Sequence, residues 1–124
     1  MKKVIYTEKA PKPIGPYSQG IINENLLFTA GQIGIDLKTG QLADGIKEQT
    51  KLCLEYIKAI VEAAGSSMKK ILKTTVYLNN MNNFTEMNEV YKQYFQGEYP
   101  VRSTVQVSCL PKNALVEIEA VAGV

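Results

Sequence analysis

Histidine and tryptophan are both absent from the 124 residues. Histidine is the commonest general base near neutral pH and the commonest metal ligand, so proton transfer falls to Asp, Glu, Tyr, Lys or Cys. Cysteine is scarce as well: Cys53 and Cys109 are the two present, far apart and without CxxC spacing. That pattern points to neither a disulfide framework nor a zinc site, and both thiols read as small buried apolar groups. No apolar run approaches the roughly 18 residues that a bilayer-spanning helix needs. The N-terminal stretch Met1–Tyr6 has two lysines but neither an apolar core nor a small-residue cleavage site, so it does not read as a signal peptide and a cytoplasmic location is expected. Arginine occurs once, as Arg102, among 14 basic residues set against 12 acidic ones. The resulting formal charge of +2 is scattered along the chain, which leaves little of the basic stripe expected of a nucleic-acid or membrane binder.

The composition that remains, 45% hydrophobic and 21% charged, is that of an ordinary globular protein. Its length suits one domain over residues 1–124, and no internal repeat, low-complexity tract or linker divides it. Residues 2–6 alternate weakly as a strand. The segment from Ala10 to Pro16 holds too much Pro and Gly for regular structure. Ser18–Ile22 and Leu26–Ile33 read as strands joined by the polar turn Asn23-Glu24-Asn25. Asp44 is placed to cap a helix over 45–64, in which Ile46, Cys53, Ile57, Ile60 and Val61 recur at three-to-four spacing before Gly65 ends it. Ile71–Leu78 is strand-like. Asn82 or Asn83 caps a second helix with Phe84 and Met87 on its inward stripe, ending near Gly97. Val101–Cys109 and Leu115–Val121 are the last strands, and the short connector between them suits an antiparallel pair. The order βββαβαββ predicts an α+β fold, a β-sheet with both helices packed on one face.

Alternation in the last two strands sorts their residues by face. Val101, Ser103, Val105 and Val107 point one way in the first, and Arg102, Thr104 and Gln106 the other. In the second, Val116, Ile118 and Ala120 oppose Glu117 and Glu119. If these strands pair directly, apolar against apolar, then Arg102, Thr104, Gln106, Glu117 and Glu119 share one surface away from the helices. Such a surface is either the solvated side of an antiparallel sheet or a site. The lone Arg102, following Pro100 at a strand entry, favours a site, because a guanidinium holds a carboxylate in a bidentate fork that lysine cannot form; a glutamate nearby can orient or deprotonate water. Tyr17, among backbone-fixing residues, is a packed aromatic or a ligand contact. Gly31 marks a bulge, tight packing or a close ligand approach. Asn88, near the middle of the second helix, bonds a site or faces water.

Over nearly its whole length the chain resembles the reactive intermediate deaminase (Rid/YjgF) family. The resemblance is carried by Ala10-Pro11, Ile14-Gly15-Pro16-Tyr17-Ser18-Gln19-Gly20, Gly31-Gln32-Ile33, Thr39-Gly40 and Lys58-Ala59-Ile60-Val61-Glu62-Ala63-Ala64-Gly65. It continues through Lys73-Thr74-Thr75-Val76, Asn88-Glu89-Val90-Tyr91, Pro100 with Arg102-Ser103, and Leu110-Pro111-Lys112 before Val116-Glu117-Ile118-Glu119. It implies the chorismate mutase-like YjgF fold and a homotrimer whose sheets form a central barrel, with ligand pockets between subunits. It further implies hydrolysis of 2-imino and 2-enamino acids, such as 2-iminopropanoate and 2-iminobutanoate, to 2-keto acids and ammonia without metal or cofactor. On this resemblance Arg102 binds the substrate carboxylate, Glu117 places or activates water, and Tyr17 and Gly31 reach the pocket from a neighbouring subunit; Thr104 and Asn88 add contacts. The family commonly has cysteine where Thr104 stands, which disfavours a thiolate nucleophile here and favours water. Some relatives have been described as ribonucleases, translation inhibitors or transcription-factor partners, so a regulatory or RNA-directed protein is the alternative.

Overall fold

A computed structural model describes residues 1–124. One sheet of seven strands runs in the order β1 (Lys2–Ile5), β2 (Gly20–Asn23), β3 (Leu26–Thr29), β7 (Val116–Gly123), β5 (Ile71–Leu78) and β6 (Val101–Gln106), with β4 (Gln32–Ile33) also pairing with β7. The helices α1 (Gly45–Ala63) and α2 (Phe84–Tyr91) supply the second layer. This is the expected α+β arrangement, with four adjustments.

The first concerns the run expected as one strand over 26–33. It is two short strands on the same edge of β7, with Phe28 opposite Val121 and Gln32 opposite Ile118, and the chain leaves the ladder at Ala30-Gly31. Next, the second helix begins in a 3₁₀ turn over Met81–Asn83, capped by the Asn80 side chain, and ends in another over Lys92–Tyr94. At α1, Asp44 occupies the cap position but its carboxylate makes no capping bond.

The largest adjustment concerns β6 and β7, which do not pair. β5 lies between them, antiparallel to β7 and parallel to β6. A parallel neighbour requires a crossover connection, and the segment containing α2 provides it. The connector over 110–114, short as it is, returns the chain past β5 instead of closing a hairpin.

Cross-strand partners share a face, so the pairing fixes what each residue meets. On the helix side, Thr74, Val76 and Leu78 stand opposite Ala120, Ile118 and Val116, all buried. Apart from Thr74 they share one buried cluster with the stripe of α1 read from the sequence; Cys53, Ile57, Ile60 and Val61 are wholly buried there. Each such aliphatic side chain removed from water contributes about 1.5–3 kcal/mol. On the other side an apolar row crosses six strands through Val4, Ile21, Phe28, Val121 and Val101, with Lys73 interposed. Val4, Phe28 and Val101 in that row are 62%, 45% and 67% exposed. Cys53 is buried as expected, but Cys109 falls beyond the end of β6 and is exposed.

The Pro-rich segment before β2 is ordered by one buried side chain, Gln19. Its Oε1 accepts from Thr7 N at 2.7 Å, and its Nε2 donates to Thr7 O at 3.0 Å and Pro11 O at 2.9 Å. Removing it strands backbone groups that no other partner reaches, at about 1–3 kcal/mol each where they stay dry. Gln19→Ala is therefore expected to lower stability by roughly 2–3 kcal/mol and to accelerate amide exchange over residues 7–17, with α1 unaffected. Chemical denaturation and hydrogen-exchange measurements on the variant check both.

Candidate functional site

The residues singled out from sequence lie in two clefts. Thr74 of β5 stands opposite Arg102, and Val76 opposite Thr104, so Arg102 and Thr104 face the helices. Tyr77 stands opposite Glu117, and Thr75 opposite Glu119, so both glutamates face away from them. The single surface expected to hold Arg102, Thr104, Gln106, Glu117 and Glu119 is therefore two surfaces. That expectation assumed direct pairing of the last two strands and took the apolar side of each to be the helix side. In β6 the assumption inverts, because the outer sheet face is itself apolar there: Val101 and Val105 point outward and are exposed.

The first cleft, of about 290 Å³, is lined by Asn88, Tyr91, Lys92, Tyr99, Pro100 and Arg102. The Arg102 guanidinium carbon lies 4.7 Å from the centre of the Tyr91 ring and 5.6 Å from that of Phe84, within reach of the attraction between a cation and an aromatic face. No acidic side chain forms an ion pair with it; the one salt bridge in the chain joins Lys47 to Glu89. Its charge is thus not neutralised by an acidic side chain, and the guanidinium can donate to an incoming carboxylate. Asn88, half-buried on α2, belongs to this cleft and not to open solvent. Thr104 lies two residues further along the same face, and its hydroxyl oxygen is buried without a hydrogen-bond partner.

The second cleft, of about 360 Å³, includes Ile14, Tyr17, Gly31, Ile33, Pro111 and Glu117. Its floor depends on the break between β3 and β4. A Cβ at Gly31 would stand 2.8 Å from Glu117 Cδ and closer still to a carboxylate oxygen, so the glycine is there because the glutamate folds back onto its backbone. Burial raises the pKa of Glu117 above the usual glutamate value, and the charge of Glu119 adds to the rise. Glu119 accepts a hydrogen bond at 3.1 Å from Tyr77. Tyr17 is half-exposed at the rim, its hydroxyl accepting weakly from Ile14 N at 3.4 Å. The loop bearing it is held by Gln19, which the sequence offers as part of the Ile14–Gly20 motif but without the hydrogen bonds to Thr7 and Pro11 that give it this role.

The two clefts differ in chemistry. One offers a cation for an anion; the other offers a carboxylate of raised pKa in a cleft that Tyr17 also lines, able to orient a water and exchange a proton with it. No three His, Cys, Asp or Glu side chains are close enough to hold a metal ion, and no helix is long and apolar enough to cross a membrane.

Two outcomes follow from the second cleft. A carboxyl whose folded pKa is raised stabilises the fold only while protonated, so this contribution is present below the unfolded pKa and lost as pH rises through the folded value. Glu117→Gln, neutral throughout, is expected to raise the melting temperature at pH 7, with the gain vanishing as pH falls below the ordinary glutamate range; thermal melts across pH 3–8 measure it. Gly31→Ala forces the carboxylate off the backbone, and crystallography of that variant is expected to show Glu117 displaced while the sheet is unchanged.

The endoribonuclease L-PSP family model matches residues 7–124. Among curated proteins, a RutC family protein of Pyrococcus horikoshii is 60% identical over 123 residues, covering 98% of each chain. The human 2-iminobutanoate/2-iminopropanoate deaminase is 45% identical over 123 residues, 98% of this chain and 90% of that one. Among solved structures, Escherichia coli TdcF with bound serine superposes with a TM-score of 0.95 at 47% identity, covering 98% of both chains. With the fold, the Pro-Tyr loop, the Gly31–Glu117 contact and the Arg102 cleft in place, these likenesses establish that the chain belongs to the endoribonuclease L-PSP family, the Rid/YjgF family of reactive intermediate deaminases.

Proposed function

We propose that this protein hydrolyses small 2-imino acids, 2-iminopropanoate and 2-iminobutanoate among them, and their 2-enamino tautomers, to 2-keto acids and ammonia, in the cytoplasm and as a homotrimer. The observation that carries the reading is the division just described. A cation with free donors and a carboxylate of raised pKa lie on opposite faces of one sheet, so one substrate can meet both only where two copies of the chain adjoin. The Arg102 cleft of one subunit then faces the Tyr17, Gly31 and Glu117 cleft of its neighbour. The exposed apolar row through Val4, Phe28 and Val101 supports the same assembly, since large apolar side chains left in water across one sheet face mark an interaction surface. Three such faces brought together form the barrel core.

In this arrangement the Arg102 guanidinium binds the substrate carboxylate through paired N–H donors. A water held by Glu117 adds to the carbon of the nitrogen-protonated imine as the glutamate takes one water proton, giving a tetrahedral carbinolamine. Glu117 passes that proton to nitrogen, the C–N bond breaks to release ammonia, and the hydroxyl proton goes to Glu117 as the carbonyl forms, then to solvent in place of the proton the imine took up. Imine and water become keto acid and ammonia, with no change of oxidation state. Thr104 and Asn88 add hydrogen bonds to the substrate end held by Arg102. A titratable group works best as a proton shuttle when its pKa approaches the working pH, and the raised pKa of Glu117 moves it that way. The serine bound to TdcF, an amino acid carrying a carboxylate, is consistent with the ligand class.

The experiment couples a pyridoxal-phosphate-dependent amino-acid dehydratase, which releases the imine, to this protein and follows keto-acid appearance. Arg102→Ala and Arg102→Lys are expected to lower kcat/KM by at least about 100-fold, a clamp of charge-assisted bonds being worth a few kcal/mol. Glu117→Gln is expected to cost about 100-fold in kcat, and Thr104→Val no more than about tenfold, the value of one hydrogen bond. Near-normal Glu117→Gln turnover beside an inactive Thr104→Val protein reverses those roles. Light scattering is expected to give a trimer, and an active monomer refutes the shared site. RNA cleavage without imine hydrolysis returns the protein to the regulatory or RNA-directed alternative.

A further inference from the structure

Arg102 is the only arginine of the chain, and what holds its side chain is as specific as its chemistry. Guanidinium groups on sheet edges are ordinarily mobile, since the side chain carries about 2 kcal/mol of rotamer entropy. Here the guanidinium lies over two aromatic rings of α2, and the nearer one is itself fixed. Tyr91 is 4% exposed and Thr74 wholly buried; their hydroxyl oxygens are 2.6 Å apart. Thr74 is the direct cross-strand partner of Arg102. Tyr91 also packs on Phe95, ring centres 4.8 Å apart. The ring therefore has its edge tied to β5, one side supported by a second aromatic, and a face toward the cation. Phe84 and Tyr91 sit seven residues apart on one helical stripe, so a single helix presents both.

We propose that Tyr91, locked by Thr74, is a positioning residue that pre-orients the Arg102 guanidinium for its anion. The inference rests on the reading of Arg102 as the carboxylate anchor and goes beyond it by naming what makes the anchor rigid. Rigidity is where an anchor gains affinity, because a cation already held in place loses little freedom when the ligand arrives. Burial also raises the Tyr91 pKa, against smaller opposing effects of Thr74 and Arg102, so the phenol stays neutral and its hydrogen bond to Thr74 persists over the working pH range.

Because the chain has one arginine, a ¹H–¹⁵N spectrum of the intact protein contains a single arginine Nε–Hε cross-peak, a direct report on this side chain that needs no substrate. In the wild type that peak is expected to be displaced by the ring current and to show a high heteronuclear NOE. Tyr91→Leu is expected to move it toward the free-arginine position, lower the NOE, and raise KM for a carboxylate-bearing imine about tenfold with kcat nearly unchanged. Tyr91→Phe, which keeps the ring and loses the tie to Thr74, is expected to retain the displacement, lower the NOE, and raise KM only about two- to threefold. A wild-type peak at the free-arginine position overturns the inference whether or not any variant folds. So does a folded Tyr91→Leu protein with wild-type peak and KM, or a Tyr91→Phe protein as impaired as Tyr91→Leu. If instead Arg102→Ala turns over normally while the wild-type peak is displaced and rigid, the anchor reading fails and the positioning of the side chain stands.

Discussion

The placement of β5 between β7 and β6 is the constraint from which the rest of the site follows. A strand residue has two faces to choose from, and the choice passes to its partners through the register. Thr74 opposite Arg102 and Tyr77 opposite Glu117 differ by three positions, an odd number, so the cation and the carboxylate fall on opposite faces. Had β6 and β7 been neighbours, a hairpin could have put both groups on one surface and made a self-contained monomer site. The parallel crossover through α2 removes that option and also delivers the aromatic rings under Arg102. The helix that closes the topology thus supplies the shelf for the one guanidinium.

On the other face, a similar economy governs Glu117. Its carboxylate is pressed onto the backbone at Gly31, half out of water and beside Glu119. Nothing in the chain neutralises it, and its raised pKa records the energetic cost of that placement. A fold selected for stability alone has no reason to keep two carboxylates together on a partly buried strand face. Strain of this kind is commonly found where a protein does something with the group. The break at Ala30-Gly31, the loss of side chain at position 31 and the depth of the cleft are three aspects of one local arrangement built around that carboxylate.

Much of the fold was legible from patterning. The stripe of α1 and the order of elements follow from periods of 3.6 and 2, and each reflects burial on one helical or sheet face. Strand adjacency was not legible, because period-2 alternation specifies which residues share a face and not which strand lies beside which. The face of β6 was misjudged for a related reason. Alternation identifies an apolar side but cannot say whether helices or another subunit cover it, and here Val101 and Val105 lie on the uncovered side. Of the site residues, Arg102 was marked by its uniqueness and by the motif around it, and Gly31 by its position in a strand-like run. Gln19, Thr74 and Tyr91 stand inside the motifs, but their roles rest on side-chain contacts 8 to 17 residues away, which periodicity does not display. Cysteine is usually buried, which is the expectation for Cys109; its exposure follows from β6 ending at Gln106.

The absence of histidine becomes intelligible in the light of the proposed reaction. An imine protonated on nitrogen is a strong electrophile, so attack by water needs less help than attack on an amide carbonyl. The base has only to hold the water and take up a proton that nitrogen will need a step later. A glutamate does this if its pKa is lifted toward neutrality, and burial beside a second glutamate lifts it without a new functional group. The remaining demand is orientation, since a substrate of a few atoms offers only its carboxylate as a handle, and a guanidinium fork on a rigid aromatic shelf is suited to grip it. In the proposed reaction proton transfer and grip fall on opposite faces of the sheet, so a monomer would hold two half-sites, neither able to complete a turnover. Under that proposal, assembly would supply the proximity that a catalytic centre in a larger chain obtains from its own fold.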